Sequence, residues 1–293
     1  MRTSPLADRT VVVTGAARGV GAALAHELAR RGARVAVLGH EKTSLEAVAA
    51  SLPGPALAVE ADVTDLPALT AAAHTVRSAL GRPSAVVANA GIAEGGPFLA
   101  SDPAVWRRVI DVNLTGSAHT ARAFLPDLFD TAGYFLQIGS LASIGAVPLM
   151  SAYCAAKAGA EAFAHSLRAE VAHRGVAVGI AYLNWTDTDM IRDADRYTLL
   201  RELRTHMPPP AHRVHTVDTV AVHLAKGMER RRTAVYAPAW LRVVQPVRAA
   251  LPAVVLRVSR HELPRMPDPE PSEYTGPLGA GGLADRTASE RRA

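Results

Sequence analysis

Short apolar runs that predict buried strands alternate with longer amphipathic runs that predict helices along most of this chain. Consecutive parallel strands need a crossover connection, which is usually a helix, so the alternation predicts a parallel sheet with helices on both faces. The crossovers are expected to be right-handed. Strands are expected at residues 11–13, 34–38, 56–59, 84–88, 134–138 and 177–183, and helices at 22–31, 43–51, 67–80 and from 103 onward. The predicted fold class is therefore α/β with a doubly wound parallel sheet.

Composition excludes several other classes of protein. The chain has 293 residues, 49% of them hydrophobic, which is enough for a well-buried core. No run of about eighteen apolar residues occurs, so no membrane-spanning helix is expected, and residues 1–5 lack the apolar stretch of a secretory signal. Cys154 is the single cysteine, which excludes an internal disulfide and fits a reducing cytoplasm. The histidines show no metal-ligand spacing, so no metal site is expected.

A glycine-rich turn follows the first predicted strand. Residues 14–21 read Thr-Gly-Ala-Ala-Arg-Gly-Val-Gly, and a predicted helix begins directly after them. Such a turn lets the backbone approach a pyrophosphate, and the helix N-terminus supplies N–H donors and a favourable dipole. The spacing Gly-x-x-x-Gly-x-Gly differs from the usual Gly-x-Gly-x-x-Gly fingerprint. We expect a Rossmann-type dinucleotide site that contains Gly15, Arg18, Gly19, Val20 and Gly21.

Tyr153 and Lys157 are four residues apart in Tyr-Cys-Ala-Ala-Lys. Residues at this spacing share a helix face, so the ammonium of Lys157 is expected close to the phenol of Tyr153. A free phenol has a pKa of about 10, and a nearby positive charge lowers it. The pair therefore predicts a tyrosine that can act as a general acid or base.

These motifs, with Asp62-Val63, Asn89-Ala90-Gly91, Asn113 and Ser140 in the same order and approximate spacing, resemble the short-chain dehydrogenases/reductases, in their single-domain branch. The resemblance runs from about residue 6 to about residue 238. It implies oxidoreduction of a carbonyl/alcohol pair with a nicotinamide cofactor. It also implies a homodimer or homotetramer with an interface around helices 105–125 and 153–172.

The resemblance also implies a role for each matching residue. Tyr153 donates or accepts the proton, Lys157 lowers its pKa and binds the nicotinamide ribose, and both contact the cofactor. Ser140 hydrogen-bonds the substrate oxygen where negative charge develops. The thirteen-residue offset from the tyrosine favours Ser140 over Ser143. Asn113 is expected to hold a chain of water molecules that leads to the lysine. Asp62, with Val63, is expected to contact the edge of the adenine, and Asn89, Ala90 and Gly91 to run along the cofactor. Thr188 is expected to contact the nicotinamide amide or the pyrophosphate.

The choice of cofactor is argued from charge. An acid at the end of the second strand holds the ribose 2′-hydroxyl in NAD-using sites and would repel a 2′-phosphate. Here Gly39 occupies that position, His40 follows, and Arg18 is a second cation within the glycine turn. NADP is therefore favoured over NAD. Glu41 complicates this prediction, because one more residue of strand would bring an acid into the site.

Three regions are expected along the chain. Residues 1–238 form the dinucleotide-binding and catalytic domain, with 186–213 as the substrate lid that the resemblance implies. The usual Pro-Gly after the sixth strand is replaced by Leu183-Asn184. Residues 239–265 form an apolar and basic extension, and residues 230–265 carry eight arginines and one acid. Residues 266–293 are rich in proline, glycine and charge and are expected to be disordered.

The extension has three interpretations. It folds over the substrate mouth, lies on an anionic membrane surface, or packs on a partner subunit. Pro246 and Pro252 argue against one long helix. Nucleic acid is not an expected partner, because the aromatic content is 5% and no nucleic-acid motif occurs.

The sequence thus predicts an NADP(H)-dependent oxidoreductase that acts on an apolar ketone or aldehyde and its alcohol. Two alternatives stay open: reduction of a 3-oxoacyl thioester, and a non-catalytic NADP-binding regulatory or scaffold protein. A cytoplasmic enzyme, with peripheral membrane contact through residues 239–260 as an option, is the expected setting.

Overall fold

The computed structural model describes residues 4–265 and 274–290. Seven parallel strands form one sheet in the order β3-β2-β1-β4-β5-β6-β7. The strand order reverses between β1 and β4, and in such sheets ligands bind in the crevice beyond the carboxyl ends of the strands at that point. The doubly wound α/β class is therefore confirmed. The strands are β1 Thr10–Thr14, β2 Arg34–Gly39, β3 Ala56–Glu60, β4 Pro83–Ala88, β5 Tyr134–Ser140, β6 Ala177–Leu183 and β7 Ala234–Ala237.

Helices cover both faces of the sheet and continue beyond it. Short 3-10 turns occur at Phe98–Ala100, Ala172–Arg174, Gln245–Ala250 and Leu263–Arg265, and a π-helical turn occurs at Asp111–Thr115. The helices are α1 Gly19–Arg30, α2 Lys42–Ser51, α3 Leu66–Leu80, α4 Pro103–Ile110, α5 Gly116–Asp130, α6 Leu141–Ile144, α7 Ser151–Val171, α8 Asp189–Ala194, α9 Thr198–Thr205, α10 Val217–Glu229, α11 Leu241–Val244, α12 Leu251–Glu262 and α13 Gly279–Glu290.

The core has two layers because successive side chains of a strand point to opposite faces. Val11 and Val13 of β1 pack with α1, α2 and α10 on one face. Val12 packs with α3, α5 and α7 on the other face. All three valines are fully buried, as is usual for a sheet covered on both sides.

Among the elements that the predicted pattern lacked, β7 and α10 complete the sheet and one of its faces. β7 has only four residues and no clear period, and α10 follows the polar segment that was assigned to the lid. The helix α10 packs its apolar stripe against α1, which closes that face of the sheet. In the described ranges, no helix combines the length and hydropathy needed to cross a bilayer.

The extension is helical but interrupted. The 3-10 turn Gln245–Ala250 separates α11 from α12. Pro246 and Pro252 are the second residues of that turn and of α12, and a missing N–H is tolerated within a first turn. The expected disorder of 266–293 is wrong for the part that the structure describes there, because α13 folds back onto α8. Residues 266–273 and 291–293 lie outside the described residues.

Candidate active site

The glycine-rich turn lines a cleft at the carboxyl ends of the central strands. Gly15 has a φ of +62°, in the left-handed region that favours glycine. A Cβ on Gly21 would clash with the Gly15 carbonyl oxygen, so a side chain there would displace the backbone. Helix α1 begins at Gly19, and its first N–H groups have no partner within the helix. This end of the cleft is shaped to hold a phosphate.

Thr14 and Asn89 join the ends of β1 and β4. The Thr14 hydroxyl accepts hydrogen bonds from the amides of Asn89 at 3.0 Å and Ala90 at 3.2 Å. The Asn89 side chain donates to the Thr14 and Gly15 carbonyl oxygens at 2.9 and 3.1 Å. These bonds hold the glycine turn against the turn after β4, where Gly91 also lines the cleft.

The three residues predicted to carry out proton transfer meet at the far end of the cleft. Ser140 ends β5 and caps α6, its hydroxyl accepting a hydrogen bond from the Ala142 amide at 3.1 Å. Tyr153 and Lys157 lie one turn apart on α7, as their spacing predicts. The Lys157 Nζ is 5.6 Å from the centroid of the Tyr153 ring and donates to the Ile138 carbonyl oxygen at 3.3 Å. The amine and the phenol therefore face the same cleft.

Burial dominates the titration of this pair. Burial raises the pKa of Tyr153 to about 12, while a hydrogen bond with Ser140 acts in the opposite direction. Burial also lowers the pKa of Lys157 to about 8. The sequence predicted that the lysine would lower the pKa of the tyrosine, and the direction in the structure is the reverse. The reason is that protein atoms surround Lys157 fully and Tyr153 in part, which disfavours the ammonium and the phenolate alike.

Asn113 lies in the π-helical turn between α4 and α5 and is fully buried. Its amide group donates to the carbonyl oxygens of Ile92 at 2.7 Å and Val109 at 2.9 Å. Its Oδ1 has no hydrogen-bond partner in the described chain. A Cβ built on Gly91 would lie 2.6 Å from this oxygen and 3.4 Å from the Lys157 Nζ. An unused acceptor and the lysine amine thus both border Gly91.

Arg18, His40 and Glu41 meet at the end of β2 and line the cleft. The Arg18 guanidinium pairs with the Glu41 carboxylate at 2.6 Å and lies 3.8 Å from Asp189. The His40 Nε2 is buried and has no partner among the described residues. The acid that complicated the cofactor prediction therefore lies in the site and is paired with one of the two expected phosphate ligands.

Asp62 follows β3 and is held by the protein itself. One carboxylate oxygen accepts hydrogen bonds from the Thr64 amide and hydroxyl, both at 2.9 Å. The other accepts from Arg108 Nη2 at 2.9 Å. Burial alone would raise the pKa of Asp62, but the Thr64 amide and Arg108 hold it below its ordinary value. The aspartate stays charged at neutral pH.

Residues 274–287, which we call the C-terminal strap, line one wall of the cleft with Leu278, Gly281 and Asp285. The Leu278 amide donates to the Ala93 carbonyl oxygen at 2.8 Å, and the Gly279 amide donates to Asp193 of the lid at 2.8 Å. Asp285 accepts two hydrogen bonds from Arg108, at 2.9 and 2.7 Å. The strap is thus fastened both to the core and to the lid.

A second cavity adjoins the cleft at Ser140 and Tyr153. Its other walls are mainly apolar, and its two charged residues, Arg204 and Asp195, are paired with each other at 2.8 Å. Asn184, at the end of β6, donates to the Ala211 and Arg213 carbonyl oxygens at 3.0 and 3.2 Å. This asparagine therefore ties the far end of the lid to the sheet where the Pro-Gly pair was expected.

Comparisons with known proteins identify the family. The sequence model of the short chain dehydrogenase family matches residues 9–197. The chain belongs to this family. It is 36% identical to the acetoacetyl-CoA reductase of Synechocystis sp. over 202 residues, which cover 68% of this chain and 81% of the relative. It is 34% identical to 2-(S)-hydroxypropyl-CoM dehydrogenase 3 of Xanthobacter autotrophicus over 177 residues, which cover 59% of this chain and 69% of that relative. It is 31% identical to the 3-oxoacyl-[acyl-carrier-protein] reductase of Haemophilus influenzae over 183 residues, which cover 62% of this chain and 76% of that relative.

As a short-chain dehydrogenase, the protein is an oxidoreductase that interconverts carbonyl and alcohol groups. The residues of the cleft fit a nicotinamide dinucleotide. The glycine turn leaves room for a phosphate. Three buried polar atoms have no hydrogen-bond partner in the described part of the chain: the His40 Nε2, the Asn113 Oδ1 and the Asn184 Oδ1. All three residues line this one cleft.

The structure brings every predicted site residue together. Each residue assigned to catalysis or cofactor binding, from Gly15 to Thr188, lines the cleft, including Val63, Ala90 and Val20. Their individual roles stay predictions. Sequence reasoning missed Arg108, Asp285 and Leu278, which also contact or line the cleft. The apolar Leu278 in a polar tail was the one local signal that could have indicated the strap.

Proposed function

We propose that this protein catalyses the NADP(H)-dependent interconversion of an apolar ketone or aldehyde and its alcohol. The observation that carries the proposal is the joining of the two cavities. The dinucleotide cleft and the apolar cavity share Ser140 and Tyr153, so a substrate oxygen in the apolar cavity can reach both hydroxyl groups.

In the proposed mechanism the cofactor, when bound, supplies or accepts the hydride. Tyr153 gives its proton to the carbonyl oxygen during reduction and takes one from the alcohol during oxidation. Its raised pKa keeps it protonated at neutral pH, as a general acid must be. Ser140 donates a hydrogen bond to the same oxygen, where charge develops.

Lys157 and Asn113 support the tyrosine. The buried ammonium of Lys157 would stabilise the phenolate that forms when Tyr153 loses its proton. The unused Asn113 Oδ1 and the lysine amine both border Gly91, an arrangement suited to a water that returns the proton from solvent.

NADP is the proposed cofactor because Arg18 and His40 meet at the end of β2, where the 2′-phosphate would lie. A 2′-phosphate would compete with Glu41 for the Arg18 guanidinium, since that pair is already formed. The buried His40 Nε2 gives a second contact. NAD is the alternative if Glu41 instead accepts the ribose 2′-hydroxyl.

The substrate is proposed to be apolar because the cavity that holds it is lined mainly by apolar side chains. A 3-oxoacyl thioester is the second candidate, favoured by the similarity to the acetoacetyl-CoA and 3-oxoacyl-[acyl-carrier-protein] reductases. A non-catalytic NADP-binding protein is the alternative from a different class.

The C-terminal extension is proposed to contact an anionic membrane surface. Val243 is 75% exposed, and Leu256 and Val254 on α12 are exposed beside Arg257 and Arg260. This combination supports contact with an anionic membrane surface. We expect co-sedimentation with anionic vesicles that the double charge reversal Arg257→Glu and Arg260→Glu abolishes; equal sedimentation of both proteins would contradict it.

A homodimer or homotetramer remains the expected assembly. Arg248 of the extension pairs with Glu161 of α7 and donates to the Ser143 carbonyl oxygen at 2.9 Å. The extension therefore covers part of the helix that the predicted interface uses. The cytoplasmic location stays a prediction.

A direct assay tests the function. Oxidation of NADPH and of NADH is measured over a panel of ketones, aldehydes and 3-oxoacyl thioesters, with the alcohols and NADP for the reverse direction. The proposal predicts turnover of apolar ketones with a higher kcat/KM for NADPH. Preference for the thioesters selects the second candidate. Cofactor binding without turnover of any substrate would establish the non-catalytic alternative.

A further inference from the structure

An apolar groove runs between the lid and the C-terminal extension. The lid side is formed by Leu203 and Met207, and the extension side by Trp240, Leu251 and Val255. Its volume is about 280 Å³, compared with about 80 Å³ for the cavity beside Tyr153. The smaller cavity has room for a short group, so the rest of a larger substrate needs another place to lie.

The groove and the smaller cavity are neighbours. Leu141, Val147, Leu203 and Met207 line both of them. Met207 lies at this junction, and its Sδ accepts a hydrogen bond from the Trp185 Nε1 at 3.3 Å. A methionine side chain is unbranched and adaptable, so a small rotation at Met207 can join the two spaces.

Trp240, one of the residues that line the groove, has a side-chain donor without a hydrogen bond to residues 4–265 or 274–290. The Trp240 Nε1 is buried and finds no acceptor among the described residues. A buried indole N–H normally has a hydrogen-bond partner. The indole of Trp240 therefore forms part of the groove wall without a hydrogen bond from the described chain that fixes its Nε1.

We propose that the groove binds the aliphatic chain of the substrate whose carbonyl group lies at Ser140 and Tyr153. The substrate class is then a carbonyl compound with a long, unbranched alkyl or acyl chain. This inference rests on the proposed function, because the groove receives the part of that substrate that extends beyond the smaller cavity. The extension thereby acts as one wall of the substrate site.

Chain length gives the first test. Straight-chain methyl ketones and 3-oxoacyl thioesters of increasing length are compared by kcat/KM. Each methylene that enters the groove is expected to raise kcat/KM about fourfold, which corresponds to about 0.8 kcal/mol. No dependence on chain length would overturn the proposal.

A matched pair of variants locates the effect. Val255→Phe narrows the groove, and the same change at the exposed Val243, which does not line the groove, is the control. The ratio of kcat/KM for long over short substrates is expected to fall more than tenfold in Val255→Phe and to stay within twofold in Val243→Phe. Equal ratios in the two variants would contradict the assignment. Thermal melting confirms that both proteins fold.

A binding experiment separates this inference from the proposed function. Bromododecanol is titrated into the full-length protein, and quenching of tryptophan fluorescence is measured. The groove predicts quenching that weakens in Val255→Phe and is largely lost in Trp240→Phe. Quenching without turnover of any carbonyl compound would retain the groove and refute the enzyme assignment. Turnover without quenching would refute the groove alone.

A second copy of the chain is the competing occupant. If it fills the groove, Val255→Phe changes the sedimentation coefficient at constant protein concentration and chain length has no effect. That pair of results would overturn the proposal.

Discussion

Replacing Asp285 by alanine should loosen the C-terminal strap without unfolding the sheet. Asp285 is 2% exposed and accepts hydrogen bonds from Arg108 at 2.9 and 2.7 Å. Alanine removes both bonds and is the best helix former, so α13 itself is not weakened. The strap then keeps its contacts at Leu278 and Gly279.

The size of the effect follows from the geometry. A hydrogen bond to a charged group contributes about 1.5–3 kcal/mol. Arg108 is 22% exposed at its side chain and keeps its bond to Asp62 after the change, so the lower part of that range applies. A loss of about 2 kcal/mol raises the population of the open strap about thirtyfold.

Hydrogen exchange measures this opening directly. The Leu278 and Gly279 amides, which are hydrogen-bonded to Ala93 and Asp193, should exchange about thirtyfold faster in Asp285→Ala. The amide of Val12 in the central sheet should not change. Thr287→Ala, at an exposed position on the same helix, is the control. Unchanged exchange at Leu278 in Asp285→Ala would refute the claim that this ion pair closes the strap.

Four further results are expected. Glu41→Ala removes the close partner of Arg18 and leaves only the longer contact with Asp189, so steady-state kinetics should show the ratio of kcat/KM for NADPH over NADH rising about tenfold. A fall in that ratio would be inconsistent with a phosphate contact at Arg18. The pKa of Lys157 is lowered to about 8, so kcat/KM for reduction should decline as pH rises above about 8 and the ammonium is lost; a profile that is flat to about pH 10 would argue against a role for its charge. Between about pH 8 and 10.5, Lys157 is protonated in the unfolded chain but not in the folded one. The free energy of unfolding should therefore rise with pH through that window, and Lys157→Met should abolish the rise. The same variant should be more stable at neutral pH by about 2 kcal/mol, since a buried ammonium is removed and only its bond to the Ile138 carbonyl oxygen is lost; a lower melting temperature would contradict this.

The parts of the site that the sequence predicted are those encoded locally. In the glycine turn, residue 15 has a positive φ and residue 21 has no room for a Cβ, so only glycine fits at these two positions. This constraint is visible in the sequence as glycines at a fixed spacing. Tyr153 and Lys157 share a helix face because of their spacing alone. Ser140 and Asn89 each come at the end of an apolar run that predicts a strand. Because the strands are parallel, their carboxyl ends lie at the same edge of the sheet, and the sequence could therefore predict that these two residues are close.

The parts that it did not predict depend on contacts between distant residues. Arg108 and Asp285 are 177 positions apart, and neither lies in a motif. The pKa of Tyr153 follows from its burial, which no local spacing reveals, and the expected direction was wrong for that reason. The tail was predicted to be disordered from its composition, yet Leu278 is 1% exposed because the lid and the core enclose it.

The central claim is that Tyr153 transfers the proton beside a bound nicotinamide, and Tyr153→Phe tests it most directly. The variant lacks only the hydroxyl, so the affinity for NADPH, measured by fluorescence titration, should stay within about twofold, while kcat for the best ketone falls about a thousandfold or more. A variant that binds NADPH normally and retains more than about a tenth of the wild-type kcat would show that another group supplies the proton.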